Sequence, residues 1–189
     1  MTSKALDSLD EYEKRELIAG NEVMLSPPPS TEHRSVQGNI SGSIWNYLRG
    51  KRCKVFSETL VVFDEKNRLI PDILVVCDKS KIKHTHIEGA PDFVVEILSP
   101  STRKYDLGMK KDVYEKYGVK EYWIVDPTAQ TVETYILTEG KFILDNSYHN
   151  YGKDDWDFLS EKEKSEINLT LKISLYPELE LNVKEIFEG

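Results

Sequence analysis

The sequence predicts a mixed α/β (α+β) fold, a mixed central β-sheet flanked by helices, built as a single domain over 1–189. Three observations carry that expectation. A near-continuous apolar run at 92–98, a helical period at 104–117 and a second apolar run at 121–125 form a strand–helix–strand unit. Such a unit makes a parallel crossover, right-handed in nearly all cases. Alternating segments punctuated by turn residues lie on both sides of it and read as antiparallel hairpins. At 189 residues the chain is long enough to bury one good core.

In chain order, residues up to about 8–11 read as a flexible tail. The run Glu16-Leu17-Ile18-Ala19-Gly20-Asn21-Glu22-Val23-Met24 has a Gly-Asn turn signal at its centre and predicts an N-terminal hairpin. Pro27-Pro28-Pro29 forbids a helix, and Ser30 or Thr31 can cap one that follows. Val36, Ile40, Ile44, Tyr47 and Leu48 then recur every three or four residues, which predicts a helix from 31 to 47 or 48. His33 falls on the same stripe, either as a half-buried helix-end histidine or looking into a cleft.

Strands follow. Residues 55–62 alternate, Asp64-Glu65-Lys66-Asn67 makes a turn, and 69–76 reads as a second strand that bends at Pro71, beside Asp72. The polar stretch 78–88 is a loop. Its His84 and His86 are loop histidines first, candidate phosphate contacts second and metal ligands third. The run 92–98 suits a strand covered on both faces. Gly118 sits where a left-handed cap would close the helix at 104–117. Residues 131–137 and 141–144, turned at Glu139-Gly140, predict a C-terminal β-hairpin extension. The acidic, lysine-rich stretch 150–166 reads as a mobile loop or short helix, 167–173 as a strand and 183–187 as a closing helix.

Bulk composition narrows the classes. No apolar run approaches the roughly 20 residues that span a bilayer. A polar, acidic N-terminus predicts no secretory signal, and two cysteines in no metal-like spacing leave a reducing, cytoplasmic setting as the expectation. A formal net charge of −8 argues against a permanently nucleic-acid-coated surface. It leaves room for an enzyme acting on nucleic acid, because bound cations offset the acids of a metal site.

The chemistry starts from Glu96. A carboxylate inside an apolar strand costs several kcal/mol unless something compensates its charge. Pro91-Asp92-Phe93-Val94-Val95-Glu96 echoes Pro71-Asp72-Ile73-Leu74-Val75-Val76. Both place an acid at the head of an apolar run, and the compensator expected is a divalent cation shared by Glu96 and Asp72. Asp92, Val94, Glu96 and Leu98 share one face of the strand, so position 98 offers no cation. On the next helix Leu107, Tyr114 and Tyr117 form the expected inward stripe, and Lys110 lies on it. Its amine either reaches those acids or runs out to water along a packed stem.

Pro71-Asp72, the run 91–102, Asp106-Leu107, Lys110, Tyr114 and the segment Gly118-Val119-Lys120-Glu121-Tyr122-Trp123-Ile124-Val125-Asp126-Pro127 resemble the Uma-two family, grouped with restriction endonucleases. Glu16-Leu17-Ile18-Ala19-Gly20, Ser26-Pro27-Pro28 and His33 at the head of the long helix extend the resemblance. It covers about residues 12–145, while 150–166 reads as a loop insertion. The resemblance implies the PD-(D/E)XK nuclease superfamily, with a restriction-endonuclease-like core, and hydrolysis of DNA phosphodiesters with Mg²⁺ or Mn²⁺. It implies Asp72 and Glu96 as metal ligands. A lysine usually stands two residues beyond the glutamate; Leu98 stands there here, and Lys110 is the candidate replacement. Glu58 and Asp92 are candidate accessory groups, either supporting the ligands, binding a second ion, or simply solvated strand-end acids. A homodimer would suit cleavage of both strands. The alternative implied by Leu98 and the acidic balance is a nuclease fold that binds or assembles without cutting.

Overall fold

The computed structural model describes residues 15–24 and 28–188 of the chain; the expected tail at 1–11 lies outside them. The hairpin forms as expected, from β1 (Arg15–Ile18) and β2 (Asn21–Met24). Ser30 caps α1 (Thr31–Leu48), its hydroxyl accepting the His33 amide at 3.1 Å, a contact of the kind that stabilises a helix by about 1 kcal/mol. Val36, Ile40, Ile44 and Leu48 bury the predicted stripe.

Two expected strands are each divided between two sheets. The run 55–62 breaks at Glu58, whose φ of 45° turns the backbone. β3 (Lys54–Ser57) lies before the break and β4 (Val61–Val62) after it. The run 69–76 breaks at Pro71, which has no N–H to donate to a ladder, leaving β5 (Arg68–Leu69) and β6 (Ile73–Val76). β7 (Ile87–Glu88), β8 (Phe93–Ile97), β9 (Glu121–Asp126), β10 (Thr131–Thr138) and β11 (Lys141–His149) follow. A six-stranded sheet has the order β11-β10-β9-β8-β6-β3, and a five-stranded sheet the order β2-β1-β5-β4-β7. Alternation could not show the divisions, because each half keeps a strand-like pattern.

In the six-stranded sheet β8 and β9 run parallel, as the crossover requires, and the other pairs are antiparallel. All five residues of β8 are buried. One face of this sheet (Ile73, Val75, Phe93, Val95, Ile97, Trp123) packs on α1. The opposite face (Leu74, Val76, Val94, Tyr122) packs on the crossover helix and on Ile18 and Leu69 of the second sheet. Asp72 therefore emerges between the layers, at the bend just ahead of β6.

The crossover helix is not a uniform α-helix. α2 (Arg103–Tyr105) leads into a π turn at Asp106–Lys110, then α3 (Lys111–Tyr117), closed by Gly118 at φ 82°. An α-helix advances about 100° per residue, so Leu107 would fall on the line of Tyr114. The π turn takes more residues to go round and rotates that phase. Leu107 consequently faces outward, 42% exposed, contrary to the expected stripe, while Asp106, Lys110, Val113 and Tyr114 face in.

Residues 150–166, expected as a loop or short helix, hold two short helices, α4 (Lys153–Phe158) and α5 (Glu161–Glu166), the latter started by a capping box between Ser160 and Glu163. β12 (Thr170–Ile173) pairs with a strand the sequence reading missed, β13 (Tyr176–Asn182), and α6 (Val183–Glu188) docks against α1. Tyr176-Pro177-Glu178 gave little strand signal, since proline and acids are poor strand formers. Cys53 and Cys77, given no role by their spacing, are joined as a disulfide beside the Lys54–Val76 pair of β3 and β6.

Glu121 ties the β12–β13 hairpin to the six-stranded sheet. It is buried, and its carboxylate accepts from Trp123 Nε1 at 2.7 Å and from Ser174 N at 2.8 Å. Burial raises its pKa despite these donors. Glu121→Ala should lower unfolding free energy by roughly 2–3 kcal/mol, the cost of stranding buried donors. A folded-state pKa above the unfolded one means that wild-type stability rises as pH falls through the raised value, levelling off below the unfolded one. Denaturant melts of the two proteins should therefore diverge on acidification; parallel curves would show that Glu121 does not titrate with folding.

Candidate active site

Three segments deliver charge to one buried place. Lys110 Nζ lies 3.3 Å from Glu96 Oε1, 3.1 Å from Glu16 Oε1 and 3.2 Å from Asp106 Oδ1. None of these four residues is more than 2% exposed. The Tyr114 hydroxyl donates to Glu96 Oε1 at 2.6 Å, and the Ile70 amide donates to Glu16 Oε1 at 2.7 Å. Each element places its group for a local reason. β8 aims Glu96 at the face that carries Val94 and Leu98, β1 aims Glu16 inward with Ile18, and the π turn brings Asp106 round to Lys110.

Asp72 forms the side of the site nearest solvent, its side chain 17% exposed. Its Oδ2 accepts from the Ile97 amide at 2.7 Å, which ties the Asp72 bend to the end of β8. Oδ1 lies 3.4 Å from His33 Nε2, and the backbone carbonyl accepts from Gln37 Nε2 at 2.9 Å and from the Glu58 amide at 3.1 Å. The first turns of α1 therefore fasten both the side chain and the backbone of Asp72. Glu58 pairs with Arg34 at this rim, and its Oε1 lies 3.4 Å from Gln37 Nε2.

Burial raises the pKa of Glu96 well above the carboxylate range, with Asp106, Asp72 and Glu16 adding to it and Lys110 opposing. Burial likewise raises Glu16 and Asp106 against the pull of Lys110. Desolvation alone would depress Lys110; Glu96, Glu16, Asp106 and Asp72 outweigh it and hold the ammonium well above its ordinary value. Lys110 is thus a permanent cation in a surplus of carboxylates. Glu16 Oε2 and His33 Nδ1 are buried without a hydrogen-bond partner, while Asp106 Oδ1 rests against the Lys110 ammonium.

The structure brings Glu96, Lys110, Asp72, His33 and Glu58 to one end of the sheet. Of the two readings of Lys110, the amine reaches the acids. It does not bring Asp92 there: that carboxylate accepts from Cys77 N at 2.8 Å and pairs with Lys120 Nζ at 2.7 Å, before the opposite end of β8. His84 is exposed and His86 half-buried, in the loop ahead of β7. Leu98 is core. Sequence reasoning placed Glu16, Asp106 and Tyr114 in the family resemblance, and Tyr114 on the inward stripe, but gave neither them nor Gln37 a role at the site. Signals existed: Glu16 stands two residues before Ile18 on a strand, Asp106 and Tyr114 stand four either side of Lys110, and Gln37 follows His33 by one helical turn.

These donors suit a hard divalent cation. They are carboxylate oxygens, in excess over the one ammonium, and one of them, Glu16 Oε2, is buried without a hydrogen-bond partner. As they stand, no three acidic, histidine or cysteine groups among the described residues converge as a metal cage. Asp72 and Glu96 would thus hold such an ion with oxygens from water and substrate, which is the usual habit of Mg²⁺.

Lys110→Met should test the balance of the cluster. Stranding three buried carboxylates without their cation should cost roughly 3–5 kcal/mol at neutral pH. The carboxylate pKa values then rise further, so stability should partly return as pH falls and protons take the cation's place. Equal losses in denaturant melts at acidic and neutral pH would show that the cluster is not charged as described.

Comparison with known proteins bears on this geometry. Residues 4–170 match the Uma2 family, described as "Putative restriction endonuclease". A protein of Synechocystis sp., "Uncharacterized protein slr1290", is 28% identical over 161 residues, covering 84% of this chain and 78% of its own length. The crystal structure of "a putative nuclease belonging to DUF820" from Anabaena variabilis superposes with a TM-score of 0.70, covering 99% of this chain and 97% of its own. At 23% identity that likeness establishes the fold. Sequence match and architecture agree, and the chain belongs to the Uma2 family and shares the fold of that neighbour.

Proposed function

We propose that this chain is a divalent-cation-dependent endonuclease that hydrolyses DNA phosphodiester bonds, with Asp72 and Glu96 as ligands of Mg²⁺ or Mn²⁺. One observation carries the reading most: an ammonium, Lys110, is delivered from the crossover helix to 3.3 Å from Glu96 Oε1, where Leu98 leaves the strand without a cation. The family match supports the reaction class.

The roles follow from the contacts. Lys110 keeps its proton at Nζ, so it serves as a fixed donor and positive charge for an oxyanion and not as a base. Tyr114, whose own pKa burial raises, keeps its hydroxyl proton and holds Glu96 Oε1 in place. His33, Gln37 and the Ile97 amide fix Asp72. The cation, when bound, supplies Lewis-acid polarisation of a phosphoryl oxygen and acidifies a water. Preorganised charge of this kind costs no rearrangement at the moment of reaction. Cleavage of both strands would take two such sites, hence a homodimer.

A second reading, a nuclease fold that binds without cutting, draws on the same lysine. Its nitrogen already engages three carboxylates and is sealed from solvent. Plasmid and single-stranded DNA incubated with Mg²⁺, Mn²⁺ or EDTA separate the two. On the first reading, cleavage requires the metal, and Asp72→Asn or Glu96→Gln lowers its rate about a hundredfold or more. Binding without cleavage under every condition supports the second, and cleavage unaltered in both variants removes Asp72 and Glu96 from the chemistry.

A further inference from the structure

Resting on the nuclease reading, we propose that Arg34 is the contact for a backbone phosphate beside the one being cleaved, and that Glu58 occupies the guanidinium in its place until a polynucleotide arrives. Arg34 sits in the first turn of α1, next to His33, which faces Asp72, and one turn before Gln37, which holds the Asp72 carbonyl. Its side chain is 46% exposed, against 3% for Lys110 and 6% for His33. It is thus a cation of this rim that a large polyanion can reach. Its NH1 pairs with Glu58 and donates to Gln37 Oε1 at 3.1 Å, which steers the guanidinium along the rim toward the Asp72 bend.

The acceptor is the telling part. Glu58 is held at φ 45°, in the left-handed region, where a residue with a side chain is uncommon and strained. Its amide donates to the Asp72 carbonyl at 3.1 Å, so the strained residue is built into the bend that carries the candidate metal ligand. Backbone strain held beside such a ligand is a common mark of a functional contact. Carboxylate and phosphate both match the planar fork of an arginine. A phosphate oxygen can therefore replace the Glu58 carboxylate without moving the helix, whereas the acid-rich interior behind it repels a polyanion. Arg34 recognises backbone charge and carries no base preference.

The test is binding, read without turnover. Fluorescein-labelled duplex and single-stranded oligonucleotides are titrated by anisotropy with calcium chloride or with EDTA, across a salt series. Wild type, Arg34→Gln, Arg34→Lys and Glu58→Gln are compared, each first shown to be folded by its thermal melt. Arg34→Gln should weaken duplex binding about tenfold at low salt and make the log–log salt slope shallower by about 0.9, the loss of one phosphate contact. Arg34→Lys should keep the slope while losing affinity, because the charge remains and the fork is gone. Glu58→Gln should bind severalfold more tightly. An unchanged slope in Arg34→Gln overturns the proposal for Arg34, and weaker or equal binding by Glu58→Gln overturns the stand-in role. If wild type neither binds nor cuts any polynucleotide, the nuclease reading itself falls, an outcome distinct from both.

Discussion

One buried ammonium governs the placement of this site. Lys110 meets Glu16, Glu96 and Asp106 within 3.3 Å, and each comes from a different layer: the hairpin, the central strand and the crossover helix. Carboxylates taken out of water singly would each cost several kcal/mol. Gathered round one cation, they become mutually dependent, and removing any one alters the protonation of the others. The two sheets are therefore held together by charge as well as by the apolar contact of Ile18 and Leu69 with Leu74 and Val76.

That dependence divides the site into an inner and an outer part. The inner part is sealed from solvent, and its charges are set by neighbours. The outer part, Asp72 with His33, Gln37, Glu58 and Arg34, hangs on the first turns of α1 and on the Ile97 amide. Solvent and ligands meet the outer part first. The bend at Pro71 joins the two, because it lets Asp72 leave β5 and β6 at the boundary between the sheets.

The sequence was legible where one physical signal dominated. The crossover, α1 and its cap, the hairpins and the Gly118 stop all follow from periodicity and turn chemistry. Glu96 announced itself because an acid inside an apolar strand demands a partner, and Lys110 because a lysine on an inward stripe does too. Glu16 was less visible: a two-residue period on a four-residue strand is weak, and the hairpin could have faced either way. Leu107 misled because uniform helical phase was assumed through Asp106–Lys110, and nothing in Asp106-Leu107-Gly108-Met109-Lys110 signals a widened turn apart from its glycine. The division of 55–62 and 69–76 between sheets was hidden because strand pairing partners are a tertiary property.

The π turn also sets a limit on how regular this protein can become. Residues four apart in an α-helix drift about 40° round the axis at each step, so Asp106, Lys110 and Tyr114 would fan across the surface. The wide turn at Asp106–Lys110 counteracts that drift and aligns the three in a single file facing Glu96. A shorter, straighter helix would have better hydrogen-bond geometry and could hide Leu107, which the present one leaves 42% exposed. It would also swing Asp106 about 40° round the axis, out of file with Lys110 and Tyr114. Local regularity and the charge constellation pull in opposite directions here, and selection for stability alone would erode the constellation at this turn.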